Sequence, residues 1–336
     1  MKLLICTQAV DKNDPILGFF HRWIEEFAKH FEEVQVICLR EGVHTLPKNV
    51  HIYSLGKENG ESRIKYISRF YGYLRMLRGS YTRVFVHMNP HYILLGGLYW
   101  TLTHTPIFFW RNHARMNLMT RIAAPFTKKI FYTSPFACTS RYAHAVQMPV
   151  GIDHTLFVPK ERLRSEKIKL LFLGRISPVK KIEVCIDAGA VLSSAYEIHI
   201  YGDAPKKDAQ YYKMLIQRAG GNIFFHPAVT NSETPEIYSA HDVYINLTPE
   251  GSMDKTVLEA VCCGVPVIVA NTSFASVLPP SAFLSTTTPE TLAQKITALT
   301  QLSQSERIEM TEHARKIVVQ EHSLERLGQL LYNYMV

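Results

Sequence analysis

Short apolar runs alternate with segments of helical periodicity along the whole chain of 336 residues. Continuous apolar strands that alternate with helices are typical of a parallel sheet covered on both faces. The predicted strands are 2–7, 34–40, 51–55, 83–88, 106–110 and 129–133 in the first half and 168–173, 196–201, 222–225, 242–247 and 265–270 in the second. The pattern predicts two doubly wound α/β domains in tandem, with ligands at the carboxyl ends of the strands and in the cleft between the domains.

Helical periodicity is clear near the two ends of the chain. In residues 18–30 aromatic side chains recur every fourth position, and a last helix is expected to start at Ser323, a good N-cap. The longest apolar stretch, 91–110, contains His104 and Pro106, which makes it a poor membrane span. It is predicted to form a buried helix, a break at the proline and a buried strand.

Chain length and local composition set the expected domain boundaries. A chain of this length normally forms two domains. The stretch 148–167 carries prolines and a glycine before a charged run, which is typical of a linker. The expected domains are 1–155 and 156–320, followed by a C-terminal helix, 321–336, that packs back toward the first domain.

The net charge of +8 is unevenly distributed along the chain. Residues 1–158 hold 19 Lys and Arg against 10 Asp and Glu, whereas residues 159–336 hold 18 against 19. The excess positive charge of the first half indicates an anionic partner there. A nucleic acid is not favoured as that partner, since the sequence shows no nucleic-acid-binding motif and the charge is not spread along a reading surface.

The densest positive charge lies in residues 63–83, which contain six cations and no acid. The candidate membrane or acceptor patch consists of Arg63, Lys65, Arg69, Arg75 and Arg78. An apolar stripe at helical spacing is formed by Tyr66, Phe70, Tyr73, Leu74 and Leu77. Such a basic amphipathic helix suits an anionic membrane surface. The alternative is a helix that packs on the N-terminal sheet and leaves its arginines in solvent.

The cysteines bear on the cellular compartment. None of the six forms a C-x-x-C pair, and most sit in apolar runs, so a disulfide framework is not expected. The N-terminal residues lack the apolar region and cleavage site of a signal peptide. These features predict a cytoplasmic protein, and the basic patch adds the expectation of peripheral association with the inner face of the membrane.

The first segment that could carry chemistry is the loop after the predicted strand 168–173. Gly174 lets the backbone turn, and Arg175 and Lys180 then present two cations at the carboxyl end of the strand. Two cations there suit a diphosphate, since a departing phosphate group must have its negative charge neutralised. Taken alone, the same residues also fit an ordinary solvated basic loop.

The second segment is 242–270, in which a strand is followed by a helix that a glycine and a proline end. Ser252 or Asp254 could cap this helix, and its free first amides would bind an anion. Glu259 lies about one turn inside the helix, near the place of a ribose if phosphates occupied the helix end. By spacing alone, Glu259 would be an ordinary surface glutamate.

The third segment, Trp-Arg-Asn-His, ends at His113 and follows a predicted buried strand. A lone histidine is more often structural. Loops at strand ends carry function, however, so a structural and a functional role for His113 are about equally supported.

Taken together, these segments resemble the retaining GT-B glycosyltransferases of glycosyltransferase family 4. The Gly-Arg…Lys loop followed by TVLEAVCCGVPVIVAN carries the resemblance, and MPVGIDHTLFVP, IHIYGD, IYSAHDVYINLTP and HSLERLGQLLYNY also fit. It covers the C-terminal half almost continuously and the N-terminal half in layout and a few residues. The resemblance implies two Rossmann-like domains that face a cleft, with a nucleotide-sugar held mainly by the second.

The resemblance also implies roles for individual residues. Arg175 and Lys180 would bind the donor diphosphate, Glu259 would bind the ribose hydroxyls, and His113 would face the sugar from the N-terminal domain. The further residues implied in donor binding are Gly18, Gly174, Lys181, Glu250, Gly251, Ser252, Met253, Asp254, Lys255 and Thr256. The backbone amides of Lys255 and Thr256 would face phosphate. No metal or other cofactor is implied, because the two cations and the helix end take the place of a metal ion.

The sequence departs from the family pattern at particular positions. The family usually has two glutamates separated by seven residues, but counting back from Glu259 reaches Gly251, with Glu250 one position outside. Either the loop carries an extra residue and Glu250 reaches the sugar, or backbone amides of the SMDK segment replace that contact. Lys181 stands where a glycine usually follows the loop lysine, so Lys180 and Lys181 could share the phosphate role. The loop after the first strand has one glycine where two are common.

The expected function is therefore a metal-independent retaining glycosyltransferase. It would move a sugar from a nucleotide-sugar to a glycan or lipid-linked acceptor, as in the synthesis of a cell-surface polysaccharide. Two alternatives stay open. The missing first glutamate supports a non-catalytic GT-B protein that acts as a partner or scaffold, and the same fold could also serve a nucleotide-sugar epimerase. A nicotinamide dehydrogenase is not favoured, since no strand is followed by G-x-G-x-x-G.

Overall fold

A computed structural model of the chain describes residues 1–161, 165–251 and 253–336. The chain divides into two compact units, of which unit 1 comprises Met1–Gly151 and Leu324–Val336, and unit 2 comprises Ile152–Ser323. The polypeptide therefore passes between the units twice. Residues 162–164 of the predicted linker lie outside the described residues.

Unit 1 is built on a seven-stranded sheet in the order β3-β2-β1-β4-β5-β6-β7. All its strand pairs are parallel. The strands are β1 (Lys2–Val10), β2 (Glu33–Glu41), β3 (Val50–Ser54), β4 (Arg83–His87), β5 (Ile107–Trp110), β6 (Thr127–Tyr132) and β7 (Ala145–Gln147). Because their inner side chains are apolar on both faces, helices must cover the sheet on both sides.

Two helical layers cover the unit 1 sheet. Helices α1 (Gly18–Ala28) and α11 (Leu324–Met335) pack on one face, where Trp23 and Phe27 of α1 share a buried core with Leu327 and Leu331 of α11. Helices α2 (Arg63–Met76), α3 (His91–Leu102) and α4 (Leu118–Ala123) belong with the other face. The final helix is thus an integral part of the first unit.

Unit 2 repeats the plan with a five-stranded parallel sheet in the order β10-β9-β8-β11-β12. Its strands are β8 (Ile168–Leu173), β9 (Tyr196–Tyr201), β10 (Ile223–His226), β11 (Val243–Asn246) and β12 (Val267–Val269). Its helices are α5 (Ile182–Val191), α6 (Ala209–Arg218), α7 (Thr234–Ser239), α8 (Lys255–Cys262), α9 (Pro289–Gln301) and α10 (Gln304–His322). In both units the chain runs from the first strand outward to one edge of the sheet and then crosses back to the other side of that first strand, where β4 and β11 lie. This is the doubly wound topology predicted from the sequence.

The structure also bears on the apolar stretch 91–110 and on the end of the chain. The stretch forms helix α3 and strand β5, as predicted, and no helix in the described part of the chain is long and apolar enough to cross a membrane. Ser323 closes α10 and directly precedes α11. All six cysteines are buried, and none of these described residues forms a disulfide. The short strand β7 had no apolar run to reveal it and was not predicted.

Candidate functional site

Two loops at the carboxyl edge of the unit 2 sheet pack backbone against backbone. The Gly174 amide donates to the Tyr201 carbonyl (3.0 Å), and the Ile176 amide donates to the Asp203 carbonyl (3.0 Å). A Cβ on Gly202, whose φ is +151°, would lie 1.9 Å from the Gly174 carbonyl oxygen. Only glycine fits at position 202, and this close approach fixes the course of the loop that follows β8. Sequence reasoning missed the role of Gly202, although it lies in the IHIYGD segment.

The loop after Gly174 places the two predicted cations in different surroundings. Arg175 is exposed, and among the described residues it makes no hydrogen bond or ion pair. Lys180 ends a short 3₁₀ turn and is largely buried. Lys181 follows with φ +50°, the left-handed conformation that favours glycine. Lys181 thus adopts a backbone conformation that a glycine would adopt without strain.

Lys180 is held by a polar network beside the start of helix α8. Its ammonium forms an ion pair with Asp254 and donates to Thr248 Oγ1 (2.9 Å). The Asp254 carboxylate also accepts from Thr248 Oγ1 (2.8 Å) and from Asn246 Nδ2 (3.1 Å). Burial acts to raise the pKa of Asp254, but Lys180 and these hydrogen bonds outweigh it and hold the pKa below its usual value. Asp254 is therefore ionised and fixes the lysine side chain in place.

This network changes the role expected for Asp254 at the helix end. Asp254 does occupy the N-cap position of α8, but its side chain makes no capping hydrogen bond within the described residues. The carboxylate is committed instead to Lys180, which lies 74 positions earlier in the chain. The other predicted cap, Ser252, lies outside the described residues.

The first turn of α8 contains no acidic residue, and amides at the start of a helix are suited to an anion. Lys255 and Thr256 supply the first two of these amides. The Thr256 hydroxyl lies 2.8 Å from the hydroxyl of Tyr244, a fully buried side chain on β11. Burial lowers the pKa of the Lys255 ammonium, against the attraction of Glu259 one turn further along the helix.

Glu259 is buried, with 4% of its surface exposed, so the expectation of an ordinary surface glutamate is wrong. Its carboxylate accepts from Asn231 Nδ2 (3.2 Å) and from the hydroxyl of Tyr238 (3.2 Å). Burial raises its pKa, whereas Lys255 and these two donors act in the opposite direction. A carboxyl group anchored in this way is set at a fixed position beside the helix. Sequence reasoning did not identify Asn231 or Tyr238 as its partners.

The loop between β11 and α8 holds the remaining donor-site candidates of unit 2. Glu250 is exposed, and its carboxylate accepts a hydrogen bond from Thr272 Oγ1 (2.5 Å). Gly251 is buried with φ +123°, and Met253 is buried as well. The contact with Thr272 ties the loop to the segment after β12 and gives Glu250 a defined position.

A cluster of one tyrosine and three histidines was not predicted from the sequence. Its tyrosine, Tyr201, directly precedes Gly202. The Tyr201 ring stacks on His226 with centroids 4.1 Å apart, and His226 Nε2 lies 3.0 Å from His199 Nδ1. His241 packs against His199 and has its Nδ1 2.6 Å from the Ile237 carbonyl oxygen. Burial lowers the pKa of His199 and His226, and it lowers the pKa of His241 to about 4. The three histidines are therefore neutral at physiological pH.

Two predicted site residues belong to unit 1. His113 is exposed after β5, and its carbonyl accepts a hydrogen bond from the Cys138 amide (2.8 Å). Gly18 is buried and begins helix α1. The other candidate donor residues that the structure describes all lie in unit 2.

The basic segment of unit 1 uses its predicted apolar stripe to build the core. Phe70, Leu74 and Leu77 are buried against the sheet, so this stripe is not available to a membrane. Two cations of the predicted patch are paired with Glu61, through Lys65 Nζ (2.7 Å) and through Arg69 (2.8 Å). The cations Arg63, Arg75 and Arg78 are exposed.

Taken together, unit 2 has at the carboxyl edge of its sheet a loop with two cations, one of which is ion-paired beside the start of helix α8, and a buried carboxyl group in that helix. Among the described residues, no group of three or more His, Cys, Asp or Glu side chains is arranged to hold a metal ion.

Comparison with known proteins matches most of unit 2 to glycosyltransferase sequences. Residues 167–301 match the family model described as Glycosyl transferases group 1. A D-inositol 3-phosphate glycosyltransferase from an Arthrobacter species is 31% identical over 142 residues, which cover 38% of this chain and 34% of that protein. The match thus spans about a third of the length of the curated relative.

Solved structures match over nearly the whole chain. The Anabaena protein HepE, solved with UDP and glucose, is 15% identical with a TM-score of 0.79, covering 99% of this chain and 98% of its own. The sucrose-phosphate synthase of Thermosynechococcus elongatus has the same identity, TM-score and coverage. At this identity the likeness shows the fold alone, and that fold is the GT-B arrangement of two parallel-sheet α/β domains.

Proposed function

We propose that this chain, whose residues 167–301 match the family model Glycosyl transferases group 1, transfers a sugar from a nucleotide-sugar donor to an acceptor hydroxyl. One observation carries the proposal. Lys180 is ion-paired with Asp254 at the start of α8, Arg175 is exposed in the same loop as Lys180, and the buried carboxyl group of Glu259 lies in helix α8.

This part of unit 2 would form an anion site for the leaving diphosphate. When the bond between the sugar and the diphosphate breaks, the electron pair stays with the phosphate oxygen. Arg175, Lys180 and the amides of Lys255 and Thr256 would stabilise this negative charge. Fixed donors of this kind cost no reorganisation at the moment of reaction, and the ion pair with Asp254 keeps the Lys180 ammonium fixed. We propose that these groups act without a metal ion.

Glu259 would bind the ribose of the donor. Its two protein donors, Asn231 and Tyr238, fix the carboxyl group and leave lone pairs that can accept the ribose hydroxyls. In the loop before α8, Glu250 and the neighbouring residues from Gly251 to Asp254 would contact the sugar. Lys181 would place a second ammonium group, after that of Lys180, near the donor phosphates. The roles expected for His113 and Gly18 stay predictions.

We further propose that the transfer retains the configuration of the sugar and that the acceptor is a glycan or a lipid-linked sugar. The excess positive charge of unit 1 supports an anionic acceptor or an anionic membrane surface next to it. Sugar transfer at the inner, cytoplasmic face of the membrane fits this assignment.

The proposal is tested by donor binding and donor turnover in the full chain. Because HepE was solved with UDP and glucose, the first probes are UDP in calorimetry and UDP-glucose in a hydrolysis assay, followed by other nucleotide-sugars, all with EDTA present. We expect binding of one nucleoside diphosphate and slow release of that diphosphate from its sugar. Arg175→Ala should lower turnover about 100-fold, as expected for the loss of a charge-stabilising donor.

Two further variants complete this test. Glu259→Gln should weaken binding of the nucleotide, while Cys262→Ala, a change of a buried thiol in the same helix, should leave turnover unchanged. Full activity of both Arg175→Ala and Glu259→Gln would contradict the proposal. A chain that binds no nucleoside diphosphate would be a non-catalytic partner protein, and conversion of the donor to an isomer without release of diphosphate would indicate an epimerase.

A further inference from the structure

Helices α3 and α4 of unit 1 expose large apolar side chains to solvent. The most exposed are Leu98 (65%), Leu102 (72%) and Leu118 (65%), and Ile122 and Phe126 are exposed beside them. We call these five residues the apolar face. Large side chains of this kind normally lie in a core, and a concentration of them on a monomer marks an interaction surface.

The apolar face belongs to one continuous helical layer. The Phe126 ring lies against Gly97 of α3, where an added Cβ would be 3.0 Å away. Helix α2 lies on the other side of α3, since the Tyr71 hydroxyl donates to the Leu95 carbonyl (2.9 Å) and Phe70 meets Trp100 edge to face. The exposed side chains of α3 and α4 thus share the outer surface of the layer that covers the sheet. These exposed side chains are distinct from the apolar stripe of α2, which is buried in the core.

The charge around this layer has a single sign. From residue 62 to residue 152 the chain contains no Asp or Glu, yet it holds twelve Lys and Arg. Arg75 and Arg78 at the end of α2 are exposed, as is Arg121 in α4. Glu61, which pairs with Lys65 and Arg69, is the last acid before this stretch. The apolar face therefore belongs to a segment that carries exposed cations and no acid of its own.

From these observations we propose that the outer surface of α3 and α4 docks on an anionic phospholipid bilayer. The leucines, Ile122 and Phe126 would enter the boundary between headgroups and acyl chains, and the exposed cations of this segment would bind lipid phosphates. A second copy of the chain fits this surface poorly, because the two copies would bring like charges together. A nucleic acid would leave the apolar side chains without a partner. The proposal does not depend on the donor chemistry of unit 2.

The test is sedimentation of the full chain with lipid vesicles. We expect binding to vesicles of phosphatidylcholine with about a third phosphatidylglycerol, little binding to phosphatidylcholine alone, and release as NaCl rises from about 0.05 to 0.5 M. The variant Leu98→Ser/Leu102→Ser should lose most of the binding. Arg75→Glu/Arg78→Glu should weaken it at least about tenfold, because each cation near an anionic surface contributes severalfold to binding.

Matched controls lie in unit 2. Val191→Ser removes an equally exposed apolar side chain (63%), and Lys206→Glu/Lys207→Glu reverses two exposed lysines. Both controls should bind vesicles as the unchanged chain does. All variants alter exposed residues, and donor hydrolysis without vesicles checks that each is folded and separates this proposal from the proposed transfer.

Three outcomes would overturn the membrane proposal. One is a lack of binding to anionic vesicles, and another is equal, salt-insensitive binding to neutral ones. The third is a dimer in analytical ultracentrifugation that Leu98→Ser/Leu102→Ser dissociates while vesicle binding is unaffected, which would assign the apolar face to contact between copies.

Discussion

His241 should make the stability of unit 2 depend on pH. The side chain is 3% exposed, and its Nδ1 lies 2.6 Å from the Ile237 carbonyl oxygen, so the neutral ring donates there. The opposite nitrogen, Nε2, is buried without a hydrogen-bond partner among the described residues. Protonation would bury a charge at this atom, and His199 beside it would add further repulsion on protonation.

The size of the effect follows from the pKa of the folded state. Burial first, and the neighbouring charges after it, lower the pKa of His241 from 6.5 to about 4. Above pH 6.5 the ring is neutral in both states and the folded state suffers no penalty. As the pH falls toward 4, His241 becomes protonated in the unfolded chain but stays largely neutral in the folded chain. At about 1.4 kcal/mol for each pKa unit, the loss approaches 3 kcal/mol.

The assay compares the unchanged chain with His241→Asn in urea unfolding at several pH values from about 7.5 to 4. The asparagine amide can replace the Nδ1 donor to Ile237, and it does not titrate. The tryptophans Trp23, Trp100 and Trp110 all lie in unit 1, so their fluorescence assigns an unfolding transition to that unit, while circular dichroism follows both units. Between pH 7 and pH 4 the unit 2 transition of the unchanged chain should lose about 3 kcal/mol more than that of the variant. Equal pH dependence in the two proteins would refute the argument.

Two backbone positions of unit 2 give further predictions. Lys181→Gly should increase the free energy of unfolding in urea by up to about 1 kcal/mol, because φ +50° at Lys181 is a left-handed conformation that glycine adopts more easily. The control Lys207→Gly, in a right-handed turn, should not stabilise the chain. Gly202→Ala should cost more than about 3 kcal/mol, since its Cβ would meet the Gly174 carbonyl oxygen at 1.9 Å. The control Gly221→Ala has open space around its Cβ. A normal melting temperature for Gly202→Ala would contradict the close approach of the two loops.

Local patterns were sufficient to predict the main elements of the fold. Strands β8 (IKLLFL) and β9 (YEIHIY) have the predicted bounds because β8 is largely apolar, β9 alternates buried apolar and polar residues, and a glycine directly follows each. The helix after the TPEGSMDK segment was predicted from its glycine and proline stop. Such signals depend on residues close together in the chain, so a single sequence is enough to detect them.

The site depended on contacts between distant parts of the chain, which the sequence does not reveal. The ion pair between Lys180 and Asp254 joins two loops 74 positions apart. The burial of Glu259 depends on Asn231 and Tyr238, which reach it from the segment of α7. The resemblance to a family could place the charged residues near a donor, but it could not show that one lysine is paired and one glutamate buried.

Helix α11 has a consequence for the order in which the protein is completed. Unit 1 buries Leu327 and Leu331 of this helix beside Trp23, and the ribosome makes these residues after all of unit 2. About 170 residues separate the two parts of unit 1, which corresponds to roughly 10–30 s of synthesis at 5–20 residues per second. During that time the nascent first unit lacks the helix that covers the apolar surface of α1.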